Sequence, residues 1–402
     1  MYNHLGPNMN KLKILTFSSY YVPGYKGGGP VRTIENMVAH LDDSLEFWIV
    51  TRNHDLGDTI PYHSIQHEVW QRQGNAYVYY LPAEKLNLLG IRKIIKSTPH
   101  DIVYLNSFFD CRFTIFPLLY RYLSRDHSTP FVLAPRGEFS SAALEIKKIK
   151  KKLYIAISQF LRLGKNLTFQ ASSEFEANDI EKALGIDKSE IKIASDLPSV
   201  NSPSPASLNL HPPHQTEESS LRVIFLSRIS PMKNLDFAIS ILAETTCSLQ
   251  FDIYGPKEDL PYWAHCEQLL SSLPDHIQYN YCGTVMPDDV REIFSAYDLF
   301  LFPTQGENYG HVIAESISAG TPVLLSDRTP WRSLEQDNLG WVLPLGTPQS
   351  FARVIDAFSK TTPQEKQEKR RHILDFSEHK LCAPESIIQN RELFVSLLPQ
   401  NK

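Results

Sequence analysis

At 402 residues, 42% hydrophobic and 21% charged, the chain is long enough for two ordinary globular domains, and its composition excludes a disordered or fibrous protein. No apolar run approaches the ~18–20 residues of a membrane span, and the opening MYNHLGPNMNKLKILTF lacks the basic start and apolar core of a signal peptide, so a cytoplasmic location is expected. The formal charge of −5 gives no reason to expect a nucleic-acid partner, but residues 1–200 carry 24 Lys and Arg against 20 Asp and Glu, whereas residues 201–402 carry 16 against 25.

Five scattered cysteines (Cys111, Cys247, Cys266, Cys282, Cys382) lack C-x-x-C spacing and read as reduced core thiols rather than disulfides or metal ligands. No Asp-x-Asp or His/Asp cluster points to a metal, so neither a metal nor another cofactor is expected.

In chain order, KILTFS (13–18) is a short β-type run and YYVPGYKGGGPVR (20–32) a glycine-rich loop. A helical pattern follows through Ile34, Met37, Val38 and Leu41. Strand, glycine loop and helix open a βαβ unit, although Gly27-Gly28-Gly29 is not the G-x-G-x-x-G of a dinucleotide site. Further strands are expected at 47–50, 77–81, 102–105, 130–134, 167–171 and 191–194, with a helix over 91–95. Ser172-Ser173-Glu174 supplies a helix cap with an acidic first turn. This alternation predicts a parallel, doubly wound α/β sheet.

The stretch from Leu144 to Lys165 crowds Lys147, Lys148, Lys150, Lys151 and Lys152 beside Ile149, Leu153, Ile155, Ile157 and Phe160. It reads as a basic amphipathic helix suited to an anionic membrane surface, or as a solvated helix face. Residues 197–220 hold five of the 27 prolines, many serines and no apolar periodicity, and mark a linker. A first domain over 1–196 and a second over 221–385 follow, with a helical pattern through Ile387, Ile388, Leu393, Phe394 and Leu397 closing the chain over 386–402.

The second domain opens with a strand at 221–226, then Ser227-Arg228-Ile229-Ser230-Pro231-Met232-Lys233-Asn234 and a helix carrying Leu235, Phe237, Ala238, Ile241 and Leu242. Phe251 to Pro256 and Tyr281-Cys282-Gly283-Thr284-Val285 are the next strands with their turns. The chain is organised around residues 303–326, PTQGENYGHVIAESISAGTPVLLS. The apolar run 299–302 is a buried strand stopped by Pro303. His311 to Ala319 has helical period with Gly320 as its stop, and Val323 begins another strand. A loop leading into a helix N-terminus is where an anionic ligand belongs. Glu307 stands in that loop and Glu315 one turn into the helix, eight residues on.

This stretch resembles the E-x7-E signature of the retaining family-4 glycosyltransferases, and the Asn308-Tyr309-Gly310 and Ala-Gly-Thr-Pro-Val segments match as well. The resemblance implies two Rossmann-like domains facing across a cleft, the GT-B architecture. It also implies a last helix that crosses back to the first domain. By it, Glu307 with Asn308, Tyr309, Gly310, His311 and Val312 would hold the donor sugar, and Glu315 the ribose of the nucleotide. Arg228 and Lys233 would bind the donor diphosphate and offset charge on the departing nucleotide. Gly283, Thr284 and Val285 would pack beside the nucleobase, and Gly28 and Gly29 would let backbone approach donor and acceptor. Where many members carry a histidine after the strand near residue 134, this chain has Arg136, which can bind an acceptor group but cannot act as a base near neutral pH. Neither His127 nor His311 is an obvious replacement. The implied function is retaining transfer from a nucleotide-sugar donor to a saccharide or lipid-linked acceptor, in surface polysaccharide or glycolipid assembly. A nucleotide-sugar epimerase of the same architecture and a non-catalytic sugar-nucleotide-binding partner are the alternatives.

Overall fold

A computed structural model describes residues 11–124, 128–145, 147–200 and 220–398. Most of the expected linker and His127 lie outside the described residues. The chain divides into two units, residues 1–200 with 384–402, and residues 201–383.

The first unit contains β1 (Leu12–Phe17), α1 (Gly29–Leu41), β2 (Leu45–Arg52), β3 (Trp70–Gln73), β4 (Ala76–Leu81), α2 (Leu88–Ser97), β5 (Ile102–Asn106) and α3 (Phe116–Ser124). It continues with β6 (Phe131–Ala134), α4 (Ser141–Glu145), α5 (Lys148–Phe160), β7 (Leu167–Ala171), α6 (Glu174–Leu184) and β8 (Ile191–Ile193). The sheet runs β3-β4-β2-β1-β5-β6-β7-β8. All pairs are parallel except β3 with β4, which form an antiparallel hairpin across Gly74-Asn75, with Gly74 at φ +58°. The Gly-Asn turn was the sequence signal for that unexpected strand. The central strands β5 and β6 are wholly buried and mostly apolar, as in a sheet covered by helices on both faces. Along β1, Ile14 joins one face's core and Leu15 and Phe17 the other's, as the two-residue strand period requires.

The second unit contains β9 (Leu221–Leu226), α7 (Leu235–Ala243), β10 (Leu249–Tyr254), α8 (Leu260–Leu270), β11 (Ile277–Gly283), α9 (Val290–Ser295), β12 (Leu299–Phe302) and α10 (His311–Ser318). β13 (Val323–Ser326), β14 (Gly340–Leu343), α11 (Pro348–Ser359) and α12 (Pro363–Lys380) complete it. Its sheet, β11-β10-β9-β12-β13-β14, is parallel throughout. α12 is polar along most of its length. It starts at a capping box, Thr362 with Glu365, a device that satisfies helix-end amides where burial gives little help.

After α12 the chain re-enters the first unit as α13 (Pro384–Val395). Phe394 is fully buried there, its ring 5.3 Å from Tyr104 of β5 and 6.2 Å from Phe47 of β2. Asn390 donates to the Ser195 carbonyl at 2.7 Å.

Two expectations need correction. The helix expected over 144–165 is two helices, broken where Lys147 takes a left-handed conformation (φ +54°). The break brings the Lys151 ammonium to the Ala143 carbonyl, 2.8 Å away, a reach that eight residues of straight helix, about 12 Å, would forbid. The cysteines are not all core thiols: Cys266 is buried, but Cys111 and Cys282 are exposed.

The α13 contacts make Phe394 a test of where this helix acts. Phe394→Ala should cost about 3–5 kcal/mol of first-unit stability, seen in hydrogen exchange as lost protection in β1, β2 and β5. Equal loss in the second unit's strands would contradict this packing.

Candidate donor site and the first-unit loops

In the second unit, β9, β10 and β11 are laid down in one direction and β12, β13 and β14 in the other. The loops after β9 and β12 therefore part at the carboxyl edge, the place where open α/β sheets bind ligands. These two loops carry Lys233 and Glu307.

The loop after β9 makes one tight turn, Pro231–Lys233, and hands over to α7 through Asn234 at φ +63°. Asparagine tolerates this left-handed conformation better than most residues. The Asn234 side chain is buried and its amide donates to the Pro303 carbonyl at 2.8 Å, while Gln305 donates to its oxygen at 3.2 Å. The Met232 carbonyl accepts from the Gln305 N–H (2.9 Å) and the Thr304 hydroxyl (3.0 Å). Both loops are thus laced together, and the Lys233 ammonium forms an ion pair with the Glu307 carboxylate. The two side chains are only 14% and 12% exposed, so this pair is shielded from most solvent screening. The ammonium also lies 5.7 Å from the centre of the Phe302 ring.

Arg228, in the same loop, is not part of that pair. Its guanidinium binds Glu258, in the loop after β10, at 2.8 Å, with the two side chains 35% and 39% exposed. Glu258 was not anticipated. An exposed pair of this kind contributes little stability, so a diphosphate could take over the guanidinium at small cost. Close passage of these loops depends on Gly255, at φ +133°, where an added Cβ would collide with the Ser227 carbonyl.

Past Glu307, whose N–H donates to the Arg328 carbonyl at 3.2 Å, the chain turns through Asn308, Tyr309 and Gly310 into α10. Gly310 sits at φ +83°, and a Cβ there would stand 2.7 Å from Ile313 Cδ1. Gly310, the N-cap residue of α10, makes no side-chain cap hydrogen bond, and His311 and Val312 are the first residues of the helix. Trp331 fixes the approach: its indole N–H donates to the Tyr309 carbonyl at 2.6 Å, and the Tyr309 ring packs on Trp331 and His311. Glu315 lies half-buried one turn along α10. Gly283 ends the outer strand β11 at φ +84°, and its carbonyl accepts from the Gly255 N–H at 2.8 Å. Thr284 is exposed and Val285 half-buried beyond it. Among the described residues, no hydrogen bond joins these three to the Lys233–Glu307 pair.

In the first unit Gly28, at φ +68°, precedes α1 and Gly29 is its first residue. Arg136 is not an open ligand for an acceptor, contrary to expectation. It leaves β6 at φ +57° and turns inward. Its guanidinium pairs with Asp196 at 2.7 Å, reaches Asn106 Oδ1 at 2.9 and 3.2 Å, and donates to the Tyr104 hydroxyl. Asp196 also accepts from Thr33 at 2.9 Å, and Asn36 and His40 of α1 bind the Leu197 and Pro198 carbonyls. The first residues of the expected linker are therefore strapped to α1, and Arg136 is a strut of that strap. Two buried carboxylates shape the neighbouring loops. Glu176 accepts from the Gly137 and Ser172 amides at 2.6 and 2.7 Å. Glu138 accepts from Ser107, Phe108 and Phe109. Burial raises the pKa of both, against the lowering effect of those hydrogen bonds.

Residues 208–373, which contain the Lys233–Glu307 pair, match the family model for glycosyl transferases group 1. The chain is 23% identical over 150 residues to the GtfA subunit of a UDP-N-acetylglucosamine–peptide N-acetylglucosaminyltransferase from Streptococcus agalactiae. That alignment covers 36% of this chain and 28% of the relative. It is 22% identical over 284 residues to an uncharacterised 41.2 kDa protein of the Klebsiella pneumoniae cps region, 70% of this chain and 75% of the other. Among solved structures, Anabaena HepE, crystallised with UDP and glucose, superposes with a TM-score of 0.69 at 14% identity, covering 95% of this chain and 98% of HepE. The fold is that of the GT-B glycosyltransferases.

The buried strap gives a direct test. With side chains 7% and 3% exposed, Arg136→Met should leave Asp196 uncompensated and cost about 3–5 kcal/mol in urea unfolding, while Arg136→Met with Asp196→Leu should recover much of it. A loss under about 1 kcal/mol in the single variant would refute the role as a strut.

Proposed function

We propose that the protein is a retaining glycosyltransferase that moves a sugar from a nucleoside-diphosphate sugar to an acceptor hydroxyl. The observation that carries this reading is the shielded Lys233–Glu307 pair, set where the strand order reverses and followed by the start of α10. The match to glycosyl transferases group 1 over the same residues supports it, as does the likeness of the fold to HepE, a protein crystallised with UDP-glucose.

In this reading Glu307 accepts hydrogen bonds from donor-sugar hydroxyls and Glu315 from the ribose, with Asn308, Tyr309 and Gly310 shaping the sugar pocket. An ammonium has three donors, so Lys233 can keep Glu307 in place while presenting an N–H to a diphosphate oxygen. The acceptor oxygen forms its bond to the anomeric carbon on the face from which the phosphate departs. The carbon–phosphate-oxygen bond breaks with both electrons going to the leaving group, which also takes the acceptor proton. Negative charge grows on the leaving diphosphate, and Lys233, Arg228 and the α10 amides lie ready to offset it. These groups supply the positive charge that a divalent metal would otherwise bring, so turnover is expected to persist in chelator. Gly283 to Val285 remain the proposed base-side segment, and Gly28 and Gly29 the proposed close-approach backbone of the first unit.

The test is donor hydrolysis across a panel of nucleotide sugars. Lys233→Ala should reduce turnover of the accepted donor by about a hundred- to a thousand-fold, and Glu315→Ala should raise the Kd for the free nucleotide. A wild-type chain that binds no nucleotide sugar, or variants that bind and turn over like wild type, would overturn the assignment.

A place at a membrane surface belongs to the same proposal. On α5, Ile149, Leu153, Ile157 and Phe160 recur at intervals of four, four and three residues and are 83, 60, 45 and 86% exposed. One helix face thus presents apolar side chains with Lys150 and Lys152 beside them, a match to an anionic bilayer. Lys151 is excluded from this face because it turns in to Ala143 and the Phe109 ring. No described helix is long and apolar enough to cross a membrane. The proposed setting is surface polysaccharide or lipopolysaccharide assembly, with a saccharide or lipid-linked acceptor and action at the cytoplasmic face; the similarity to an uncharacterised protein of a cps region supports the polysaccharide part of it. Sedimentation with phosphatidylglycerol vesicles should fall sharply in Leu153→Glu/Phe160→Glu and in high salt. Equal binding to neutral phosphatidylcholine vesicles would point to aggregation instead.

A further inference from the structure

The first unit has its own reversal of strand order, between β1 and β5. β1, β2 and β4 progress one way and β5 to β8 the other, so the loops after β1, β2 and β5 converge on a second ligand-binding position. Contacts join all three loops. The Ser19 hydroxyl, after β1, donates to Asp110 in the loop after β5. The Arg52 guanidinium, at the end of β2, lies 5.5 Å from the Tyr20 ring centre and 5.3 Å from that of Phe113.

Among the described residues, Arg52 has no ion-pair partner. Its Nε is buried without a hydrogen-bond partner, and among the described residues no carboxylate comes within ion-pair distance of Arg52 or of the half-buried Arg112. The nearby acids are engaged elsewhere. Asp110 accepts from the Arg112 and Phe113 amides at 2.8 and 2.6 Å as well as from Ser19. Asp55 accepts from the Tyr25, Lys26 and Leu56 amides at 2.8, 3.1 and 2.7 Å, and Asp58 pairs with Lys26 at 2.7 Å. His54, beside Arg52, is held below its ordinary pKa by burial first and then by Arg52, with Arg112 acting in the same sense against the opposing effects of Asp58 and Asp55, so both arginines act on one small region. Partly desolvated guanidinium groups with neither acid nor carbonyl attached are unfavourable unless something completes them. Stacking of Arg52 on the Tyr20 and Phe113 rings leaves its planar donor edge available for a forked contact with an oxyanion.

We propose that Arg52 and Arg112, backed by Tyr20 and Phe113, form an oxyanion site in the first unit, and that the acceptor carries a phosphate or carboxylate group. That the ligand is the acceptor rests on the glycosyltransferase reading; that the site takes an oxyanion does not. None of the loop residues that make this site stands out in the sequence, because they are spread from Tyr20 to Phe113 and share no motif.

The experiment is phenylglyoxal modification of the full chain, with adducts located by peptide mass spectrometry. Glucose 1-phosphate, glucuronate, a polyprenyl monophosphate in detergent and neutral glucose are compared at ionic strength matched with chloride. At a ligand concentration about ten times its Kd, modification of Arg52 and Arg112 should slow by about tenfold. Protection by both phosphate probes supports the site and assigns a phosphate. Protection by the prenyl phosphate alone supports it and assigns a lipid-borne phosphate, and protection by glucuronate alone supports it and assigns a uronic acid. Protection no greater than that given by chloride, or equal protection by glucose, overturns it. Arg112→Gln should weaken the protection of Arg52 without lowering the thermal midpoint. Arg228 in the same digest, with pyrophosphate added, reports the donor site separately, so failure of one reading does not disguise failure of the other.

Discussion

A parallel sheet that is extended first in one direction and then in the other must let the chain diverge at one pair of strands. Covered on both faces by helices, such a sheet leaves only its carboxyl edge for a polar ligand, and the divergence is the one place along it where no crossover fills the gap. In the second unit this point lies between β9 and β12, and it dictates which two loops can cooperate. The Lys233–Glu307 pair is the chemical consequence, its members 74 positions apart in the chain and brought together by Asn234, Met232, Thr304 and Gln305 acting as stitches.

Those stitches explain why the pair can be narrow in exposure without being rigidly buried. An ion pair sealed from water suffers desolvation that its mutual attraction barely repays, whereas one in bulk solvent is screened to insignificance. At 14% and 12% exposed, Lys233 and Glu307 occupy the middle ground. Arg228 and Glu258, both more than a third exposed, are close to the solvent limit. The two cations of one loop would therefore play different parts in the proposed reaction. Lys233 would orient a carboxylate and a phosphate together, whereas Arg228 would exchange its carboxylate for a phosphate.

Much of this was legible in the sequence. Continuous apolar runs such as Leu299–Phe302 announce strands buried on both faces, and Gly310 ahead of a helical period announces the start of α10. What the chain concealed was the direction in which side chains turn. Arg136 stands at the end of a strand, as a ligand residue would, yet a left-handed backbone points it back at Asp196, 60 residues away. Glu258 could not be read as the partner of Arg228 because nothing local sets the passage of the β10 loop against the β9 loop except Gly255. The break at Lys147 was equally hidden: no glycine or proline marks it, and its compensation, the Lys151 contact with Ala143, exists only in three dimensions. Periodicity reports which faces are buried; it does not report long-range polar partners.

The charge distribution makes the same distinction between global and local. Residues 201–402 carry 25 acids against 16 bases, so on net charge alone the half of the chain with the proposed diphosphate site should repel an anion. Net charge is a poor guide here because exposed charges farther than about 8 Å are largely screened at physiological ionic strength. A ligand at the β9–β12 divergence responds chiefly to Lys233, Arg228 and the first amides of α10. Its neighbour Glu307 is already paired, and Glu258 is paired with the very arginine the ligand would approach. Repulsion by the remaining surface acids then works at a distance, where it slows the arrival of anions generally, while the short-range donors decide which anion stays. Under the proposed function, selectivity would go to a ligand that offers both hydroxyls and phosphate, since such a ligand can engage the carboxylate and the ammonium of the Lys233–Glu307 pair together.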